Sequence, residues 1–271
     1  MIRLAIRVRR QDAEVVLAEL LELAPSGVEE VAIGEDVIEY VVYGPPGELP
    51  ALPALHAAAG GALVEISTTE VADDWSERWR EFHRPLVLGD RLTVRPPWSA
   101  ASSTSSIDLV IDPGQAFGTG AHATTRLCLE SLLELDAAGS FVDLGCGSGV
   151  LAIAAARLGY DPVLALDYDP ASVEATRENA AVNGVALDVR RFDLRADPTP
   201  PAGTVAANLL GPLLVEWAAR LSGAASLPHT VIASGLLTVE AGRVGAAFAP
   251  LGFAVAQRRE RGEWAALLLI R

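Results

Sequence analysis

Residues 141–154 of the chain are Phe141-Val142-Asp143-Leu144-Gly145-Cys146-Gly147-Ser148-Gly149-Val150-Leu151-Ala152-Ile153-Ala154. An apolar run ends in an acid, glycines then alternate with small residues, and an alanine-rich stretch follows. This order predicts a strand, a tight loop and a helix. The glycines lack Cβ atoms, so a ligand can lie against the loop backbone, and the free N–H groups of the helix point towards it. The stretch therefore predicts a ligand site at the carboxyl edge of a parallel sheet.

The next predicted strand adds an acid to the same edge. Val163-Leu164-Ala165-Leu166-Asp167 follows roughly twenty residues later, and Asp167 takes the position of an acid that holds a ribose. The glycine spacing is Gly145-x-Gly147-x-Gly149, which differs from the dinucleotide pattern G-x-G-x-x-G. Asp143 precedes the loop, where a carboxylate suits the ammonium of a methionyl group and would repel a pyrophosphate. We therefore expect S-adenosyl-L-methionine as the cofactor. The alternative is a site for NAD, in an NAD-linked oxidoreductase.

Helical and strand patterns alternate along the rest of the chain. The alternation predicts an α/β protein with a doubly wound, mostly parallel sheet, the Rossmann-like fold of S-adenosylmethionine methyltransferases. The last two predicted strands are close in sequence, so we expect an antiparallel hairpin at one edge of the sheet. The predicted helices are 124–135, 149–158, 170–183, 211–222 and 237–250, and the predicted strands are 140–144, 162–167, 186–190, 204–208, 229–233, 252–257 and 263–269.

The N-terminal part has a different organisation. Strand patterns at 2–8, 27–33, 37–43 and 62–69, with helical patterns at 12–23 and 49–59, have the order βαββαβ, which predicts a small ferredoxin-like α+β domain. Trp75, Trp79 and Phe82 then share one face of a predicted helix. We expect a ferredoxin-like domain at 1–70, a linker helix at 71–85 and a catalytic domain at 86–271.

Composition and charge argue against several classes of protein. The chain has 271 residues and a net charge of −14, whereas a protein that binds nucleic acid through its phosphates needs a basic face. No uncharged apolar run reaches the roughly twenty residues of a membrane span, and the N-terminus alternates like a strand rather than a signal peptide. Cys128 and Cys146 lack the spacing of metal ligands. We expect a cytoplasmic monomer without metal, membrane or nucleic-acid partners.

Several segments together resemble one known family. The most specific is Asp112-Pro113-Gly114-Gln115-Ala116-Phe117-Gly118-Thr119-Gly120-Ala121-His122-Ala123-Thr124-Thr125, and the others are 74–86, 142–149, 207–210 and the last strand from Glu263. They resemble the methyltransferases of ribosomal protein L-eleven (L11), of the PrmA type. The N-terminal 60 residues match that family in pattern more than in letters. The resemblance implies S-adenosylmethionine-dependent methylation of lysine ε-amino groups, and of the N-terminal α-amino group, of L11, which the first domain would dock.

Position and resemblance together imply the cofactor contacts. Asp167 is expected to hold the ribose, Asp143 either the methionyl ammonium or the loop itself, and Asp193 the adenine amine. The resemblance implies that Thr125 contacts the methionine end, and a helix N-cap is its alternative role. Phe117 either shields the sulfonium or packs in the core. The expected cofactor-binding residues are Thr125, Gly145, Asp167, Asn208, Asp143, Gly147, Phe117 and Asp193.

Asn208, at the end of a predicted strand, is the expected catalytic residue. Leu209-Leu210-Gly211 follows it, whereas several amino-methylating enzymes carry Pro-Pro-Tyr there to stack a flat amide or base. The side-chain carbonyl of Asn208 can accept a hydrogen bond from an amine and orient it towards a methyl donor. A buried Asn that is satisfied within the protein is the alternative. His122 is expected to be structural rather than a general base.

Two other functions remain open at this point. The weakly matching N-terminal domain allows a related methyltransferase with another protein or small-molecule acceptor. A non-catalytic module that only binds the cofactor is the second, and the presence of Thr125, Gly145, Asp167 and Asn208 together argues against it.

Overall fold

The computed structural model describes most of the chain in two compact units. These units are Met1–Phe82 and His83–Arg271. The described residues are 2–13, 16–17, 20, 29–33, 36–44, 49–50, 53, 55, 59–70, 84–112, 123–224 and 226–271. The predicted linker helix with Trp75 and Trp79 lies outside them, as does most of the Asp112–Thr125 segment.

The first unit contains a four-stranded antiparallel sheet with the spatial order β2-β3-β1-β4. Its strands are β1 (Ile2–Arg9), β2 (Glu29–Ala32), β3 (Val37–Gly44) and β4 (Leu63–Glu70). This order is that of the split βαβ unit, so the predicted ferredoxin-like arrangement is confirmed for the strands. Leu4, Ile6 and Val8 alternate along β1 and are buried on one face of the sheet, against Tyr40 of β3.

The two predicted helices of this unit are described in part. Val16 and Leu20 have helical backbone and are buried in the same core, as the i, i+4 spacing predicts. Leu55 and Ala59, from the second predicted helix, also have helical backbone and are buried in the same core.

The second unit begins with a small sheet in the order β5-β6-β7. Its strands are β5 (Leu86–Leu88), β6 (Leu92–Arg95) and β7 (Ile107–Val110). The first two form an antiparallel pair, and β7 runs parallel to β6. An ion pair of 2.9 Å between Arg95 and Asp108 joins β6 to β7.

A seven-stranded sheet forms the centre of this unit, in the order β10-β9-β8-β11-β12-β14-β13. Its strands are β8 (Phe141–Leu144), β9 (Val163–Asp167), β10 (Asp188–Arg191), β11 (Thr204–Asn208), β12 (Thr230–Leu237), β13 (Ala254–Arg261) and β14 (Trp264–Ile270). The first five in this order are mutually parallel, and β14 is antiparallel to both of its neighbours. The predicted antiparallel hairpin at one edge is confirmed, and β14 is its inner strand.

Helices cover both faces of this sheet, as a doubly wound fold requires. They are α1 (Ala123–Glu134), α2 (Val150–Leu158), α3 (Pro170–Val182), α4 (Gly211–Leu221) and α5 (Ala241–Phe248). One apolar cluster joins the sheet to α1, α2 and α3, and a second joins it to α4 and α5, where Trp217 and Phe248 are in edge contact. Within the described ranges, no helix is both long and apolar enough to cross a membrane.

Two predicted boundaries need correction. The strand predicted at 229–233 extends to Leu237, and the helix predicted at 237–250 covers only Ala241–Phe248, followed by a 3-10 turn. The reason is a non-local pairing, because β12 continues past Gly235 to pair with Trp264 of β14 across a register shift. Residues that resemble the start of a helix are thereby held in the sheet.

Candidate cofactor and active site

The glycine loop connects β8 to α2 at the carboxyl edge of the sheet, as predicted. Gly145, Gly147 and Gly149 have φ values of +74°, +53° and +80°, which side chains with a Cβ atom rarely adopt. The backbone N–H groups of Gly145 and Cys146 donate to the carbonyl of Leu166 in β9, at 2.8 and 3.0 Å. The loop is therefore held against the neighbouring strand.

Asp167, at the end of β9, is connected to this loop by its side chain. One carboxylate oxygen accepts the N–H of Gly147 at 2.9 Å, and the other accepts the N–H of Asp169 at 3.0 Å. Asp169, in contrast, is the N-cap of α3 and accepts from the N–H groups of Ala171 and Ser172. The helix cap is thus supplied by Asp169, and the remaining lone pairs of Asp167 are available to a ligand.

A cleft of about 370 Å³ opens beside Asp167. Apolar and aromatic side chains form much of its wall, and two carboxylates, Asp167 and Asp193, line it. Asp193 lies just after β10, and one of its oxygens accepts the N–H of Arg195 at 2.9 Å. Apolar walls with a few placed acceptors suit a nucleoside, because the flat faces of the base pack on apolar side chains and the ribose hydroxyls are donors. The lining residues are Leu144, Gly145, Leu166, Asp167, Tyr168, Phe192, Asp193, Leu194, Arg195, Leu209 and Leu213.

Asp143, in the middle of the sheet, is fully buried. One carboxylate oxygen accepts the N–H of Ala152 in the first turn of α2 at 3.1 Å, and the other has no hydrogen-bond partner among the described residues. Burial raises the pKa of this carboxyl to about 7; the bond from Ala152 opposes that change and the charge of Asp167 adds to it. A buried carboxylate with one unsatisfied oxygen can bind a cation.

Asn208 lies next to Leu209, which lines the cleft. It ends β11, and its side-chain nitrogen lies 3.5 Å from the hydroxyl of Thr125 in the first turn of α1. The side-chain oxygen of Asn208 is buried and has no hydrogen-bond partner among the described residues. Leaving such an oxygen unpaired costs about 1–3 kcal/mol, so it is an acceptor in need of a donor. Thr125 is the third residue of the helix, which excludes the alternative role of N-cap.

The turn after Asn208 is packed between glycines. An added Cβ at Gly145 would lie 2.6 Å from the side chain of Leu209, and one at Gly235 would lie 2.6 Å from the carbonyl oxygen of Leu209. The N–H of Leu209 also donates to the carbonyl of Ser234 at 2.8 Å. At Gly149 the space of a Cβ is taken by Thr176 rather than left to a ligand, so this glycine serves loop packing.

Gly235→Ala is expected to lower the free energy of unfolding by about 3 kcal/mol, because a positive φ and a clash with backbone atoms add together. Asn208 should shift with the displaced turn, so kcat should fall as well. Gly262→Ala is the matched control, since Gly262 has a φ of +61° but open space around its Cβ position. Equal losses of stability in the two variants, measured by chemical denaturation, would contradict the importance of the close contact.

Three polar side chains on one face of α3 and its C-cap, Thr176, Asn179 and Asn183, were not predicted from the sequence. The hydroxyl of Thr176 donates to the carbonyl of Gly147 at 2.9 Å. The side-chain nitrogen of Asn179 donates to the carbonyl of Ser148, and its oxygen accepts the N–H of Asp112, both at 2.9 Å. Asn183 binds the backbone of Val110 through both ends of its amide. Their i, i+3, i+7 spacing was the available signal, because it places three polar side chains on one helical face.

Of the predicted site residues, the structure brings most to one edge of the sheet. Gly145 and Gly147 lie in the glycine loop, Asp167 accepts a hydrogen bond from that loop, and Asp143 precedes it in β8. Asp193 lies on the cleft wall, and Asn208 lies beside Thr125. Phe117 and His122 lie outside the described residues.

The pKa of Asp143 leads to a pH-dependent stability. An unfolded Asp titrates near 3.9, so between about pH 4 and pH 7 the folded protein keeps a proton that the unfolded chain releases. The free energy of unfolding without cofactor should therefore fall as pH rises through this window, by at most about 1.4 kcal/mol per unit. Asp143→Asn should lack this slope. The free energy of unfolding of the wild type and of Asp143→Asn can be measured by urea denaturation at several pH values. Equal slopes against pH in the two proteins would overturn the prediction.

Comparison with known proteins agrees with this arrangement. The family model for ribosomal protein L11 methyltransferase (PrmA) matches residues 53–271. Proteins named ribosomal protein L11 methyltransferase from Azotobacter vinelandii and Geobacter metallireducens are 40% and 41% identical to the chain over 218 residues, which is 79% of this chain and 74% and 72% of theirs. The crystal structure of a ribosomal protein L11 methylase from Lactobacillus delbrueckii subsp. bulgaricus aligns with a TM-score of 0.61 and 30% identity, over 69% of this chain and 98% of that one. With a match over most of its length, the chain belongs to the ribosomal protein L11 methyltransferase family.

Proposed function

We propose that this protein transfers methyl groups from S-adenosyl-L-methionine to lysine ε-amino groups of ribosomal protein L11, and to its N-terminal α-amino group. The observation that carries the proposal is the unsatisfied, buried oxygen of Asn208, whose neighbour in the chain, Leu209, lines the cleft that also contains Asp167 and Asp193. Membership of a methyltransferase family excludes the alternative of an NAD-linked oxidoreductase.

The described residues suit this cofactor. Asp167 would accept from the ribose hydroxyls, and Asp193, which also lines the cleft, from the adenine amine. Asp143 would pair its unsatisfied oxygen with the methionyl ammonium, which also favours the charged form of this carboxyl. The loop backbone at Gly145 and Gly147 and the hydroxyl of Thr125 would complete the binding site. When bound, the cofactor supplies an electrophilic methyl group on a sulfonium.

Asn208 would position the acceptor amine. A lysine amine has a reference pKa of about 10.4, so it must lose a proton before its lone pair can attack, and a site shielded from water lowers that pKa. The carbonyl oxygen of Asn208 would then accept one N–H of the neutral amine and turn its lone pair towards the methyl carbon. Transfer would form an N–C bond in place of the S–C bond, giving a methylated ammonium group on the acceptor and S-adenosylhomocysteine.

The remaining expectations belong to the same proposal. Residues 1–70 would recognise the substrate, residues 71–85 would link the domains, and residues 86–271 would carry out catalysis. The separate four-stranded unit supports a distinct role for the first part. We further propose a cytoplasmic monomer, and the net charge of −14 disfavours direct binding to the phosphates of nucleic acid.

The test is intact-mass spectrometry of L11 from the same organism, incubated with this protein and S-adenosylmethionine. The mass of L11 should rise in methyl steps, and the rise should be about 10²- to 10³-fold slower with Asn208→Ala. An unchanged mass, with cofactor binding confirmed by calorimetry, would contradict L11 as acceptor and favour a related methyltransferase with another acceptor. Binding without turnover on any amine would favour a non-catalytic module.

A further inference from the structure

We propose that Leu210 and Val239 form an apolar entrance that binds the aliphatic part of the acceptor lysine and leads its amine to Asn208. This inference rests on the proposed function and deepens it, because it assigns the residues that select a long apolar stem ending in an amine.

The two side chains are the most exposed large hydrophobic ones in the described part of the chain, at 69% for Leu210 and 85% for Val239. Each follows the carboxyl end of a strand, Leu210 after β11 and Val239 after β12, and these strands are parallel neighbours. The two strands therefore bring both residues to the edge of the sheet where Asn208 lies.

Glu240 connects the two segments directly. Its carboxylate accepts the N–H of Leu237 at 2.8 Å. An added Cβ at Gly211 would lie 2.7 Å from the same carboxylate, so the residue after Leu210 packs against the residue after Val239. Leu210 and Val239 therefore lie on either side of the contact between Glu240 and Gly211, next to the turn that follows Asn208.

The local structure does not explain why either position carries an apolar residue. Leu210 is the N-cap of α4 and makes no capping hydrogen bond, although Ser, Thr, Asp or Asn would stabilise that position. Val239 precedes the N-cap of α5, where an apolar residue can pack on the fourth helical residue, here Val244. Its exposure of 85% shows that it does not pack there. Residues that break local rules without a structural gain are expected at functional sites.

The chemistry of lysine fits such an entrance. Its stem of four methylene groups lies readily along apolar surface, while the amine at its tip needs a polar partner. The occupant is accordingly the side chain of a lysine on the acceptor protein.

Leu210→Ser and Val239→Ser test the inference in steady-state kinetics with recombinant L11 and S-adenosylmethionine. We expect each variant to raise the KM for L11 about tenfold, with kcat and the KM for S-adenosylmethionine close to wild type. Leu210→Ser should keep or raise the Tm, because serine is a good N-cap, and Leu210→Met should restore the KM. Val182→Ser is the matched control, since Val182 is 64% exposed at the C-terminal end of α3, at the opposite edge of the sheet.

Three outcomes would overturn the inference. An unchanged KM for L11 in both serine variants would do so, as would an equal rise in Val182→Ser. A parallel rise in the KM for S-adenosylmethionine would place the effect in the cofactor cleft instead. If the wild type itself fails to methylate L11, the proposed function fails, and the inference, which rests on it, fails with it.

Discussion

Asn208→Ala is expected to lower kcat for methyl transfer by about 10²- to 10³-fold while leaving the affinity for the cofactor nearly unchanged. The side-chain oxygen of Asn208 is buried and has no hydrogen-bond partner among the described residues, and in the proposed mechanism the substrate amine would be the donor that satisfies it. Its removal leaves the amine free to rotate away from the methyl carbon, and the reaction loses the benefit of orientation. Single-turnover kinetics with saturating cofactor would measure the effect.

Two further variants separate orientation from folding. Asn208→Asp keeps the shape of the side chain but adds a negative charge, which stabilises the protonated amine, so its kcat should be low at neutral pH and rise at higher pH. Thr125→Val removes the hydroxyl that lies 3.5 Å from the side-chain nitrogen of Asn208, and should cost less than loss of Asn208 itself. If Asn208→Ala retained kcat within about threefold, well short of the loss of one transition-state contact, Asn208 would not be catalytic.

Asp167→Ala is expected to raise the dissociation constant of S-adenosylmethionine by about 10²-fold. Hydrogen bonds to a charged group contribute about 1.5–3 kcal/mol each, and the ribose offers two hydroxyl donors. The substitution also removes the acceptor of the Gly147 N–H, which lies 2.9 Å away and holds the glycine loop against β9. Titration calorimetry with S-adenosylmethionine or S-adenosylhomocysteine would measure the loss.

Asp169→Ala is the control for this second experiment. Asp169 lies two residues further on and caps α3, so its loss should cost about 1 kcal/mol of stability. The affinity for the cofactor should remain near that of the wild type. Similar weakening of cofactor binding in the two variants would contradict a specific role for Asp167.

Local signals in the sequence were sufficient for much of the architecture. The glycine loop, the strand that ends in Asp167 and the alternation of helices and strands each involve residues close together in the chain, and the described parts of the structure agree with them. Asn208 could be found in the same way, since the end of a parallel strand must lie at the ligand edge.

Contacts between distant segments could not be predicted in this way. The placement of Leu209 between Gly145 and Gly235 brings the carboxyl ends of β8 and β11 against an internal residue of β12. Asn179 joins the glycine loop to Asp112 across 67 residues of chain. The wrong boundary near Leu237 has the same origin, because its pairing with Trp264 overrides the local helical pattern.

By itself, the sequence determined the fold class, the edge of the sheet at which the cofactor is expected, and the polar groups placed at that edge. Hydrophobic periodicity, glycine spacing and the ends of strands are local properties of the chain, so they can be recognised without the tertiary structure. Only the tertiary structure decided which of those groups are satisfied. It divided the adjacent acids into a helix cap at Asp169 and a loop and ligand acceptor at Asp167. It buried Asp143 so deeply that its pKa rises to about 7, and it left the oxygen of Asn208 without a partner among the described residues. Burial and hydrogen bonding depend on what packs against a side chain, and those neighbours come from distant parts of the chain.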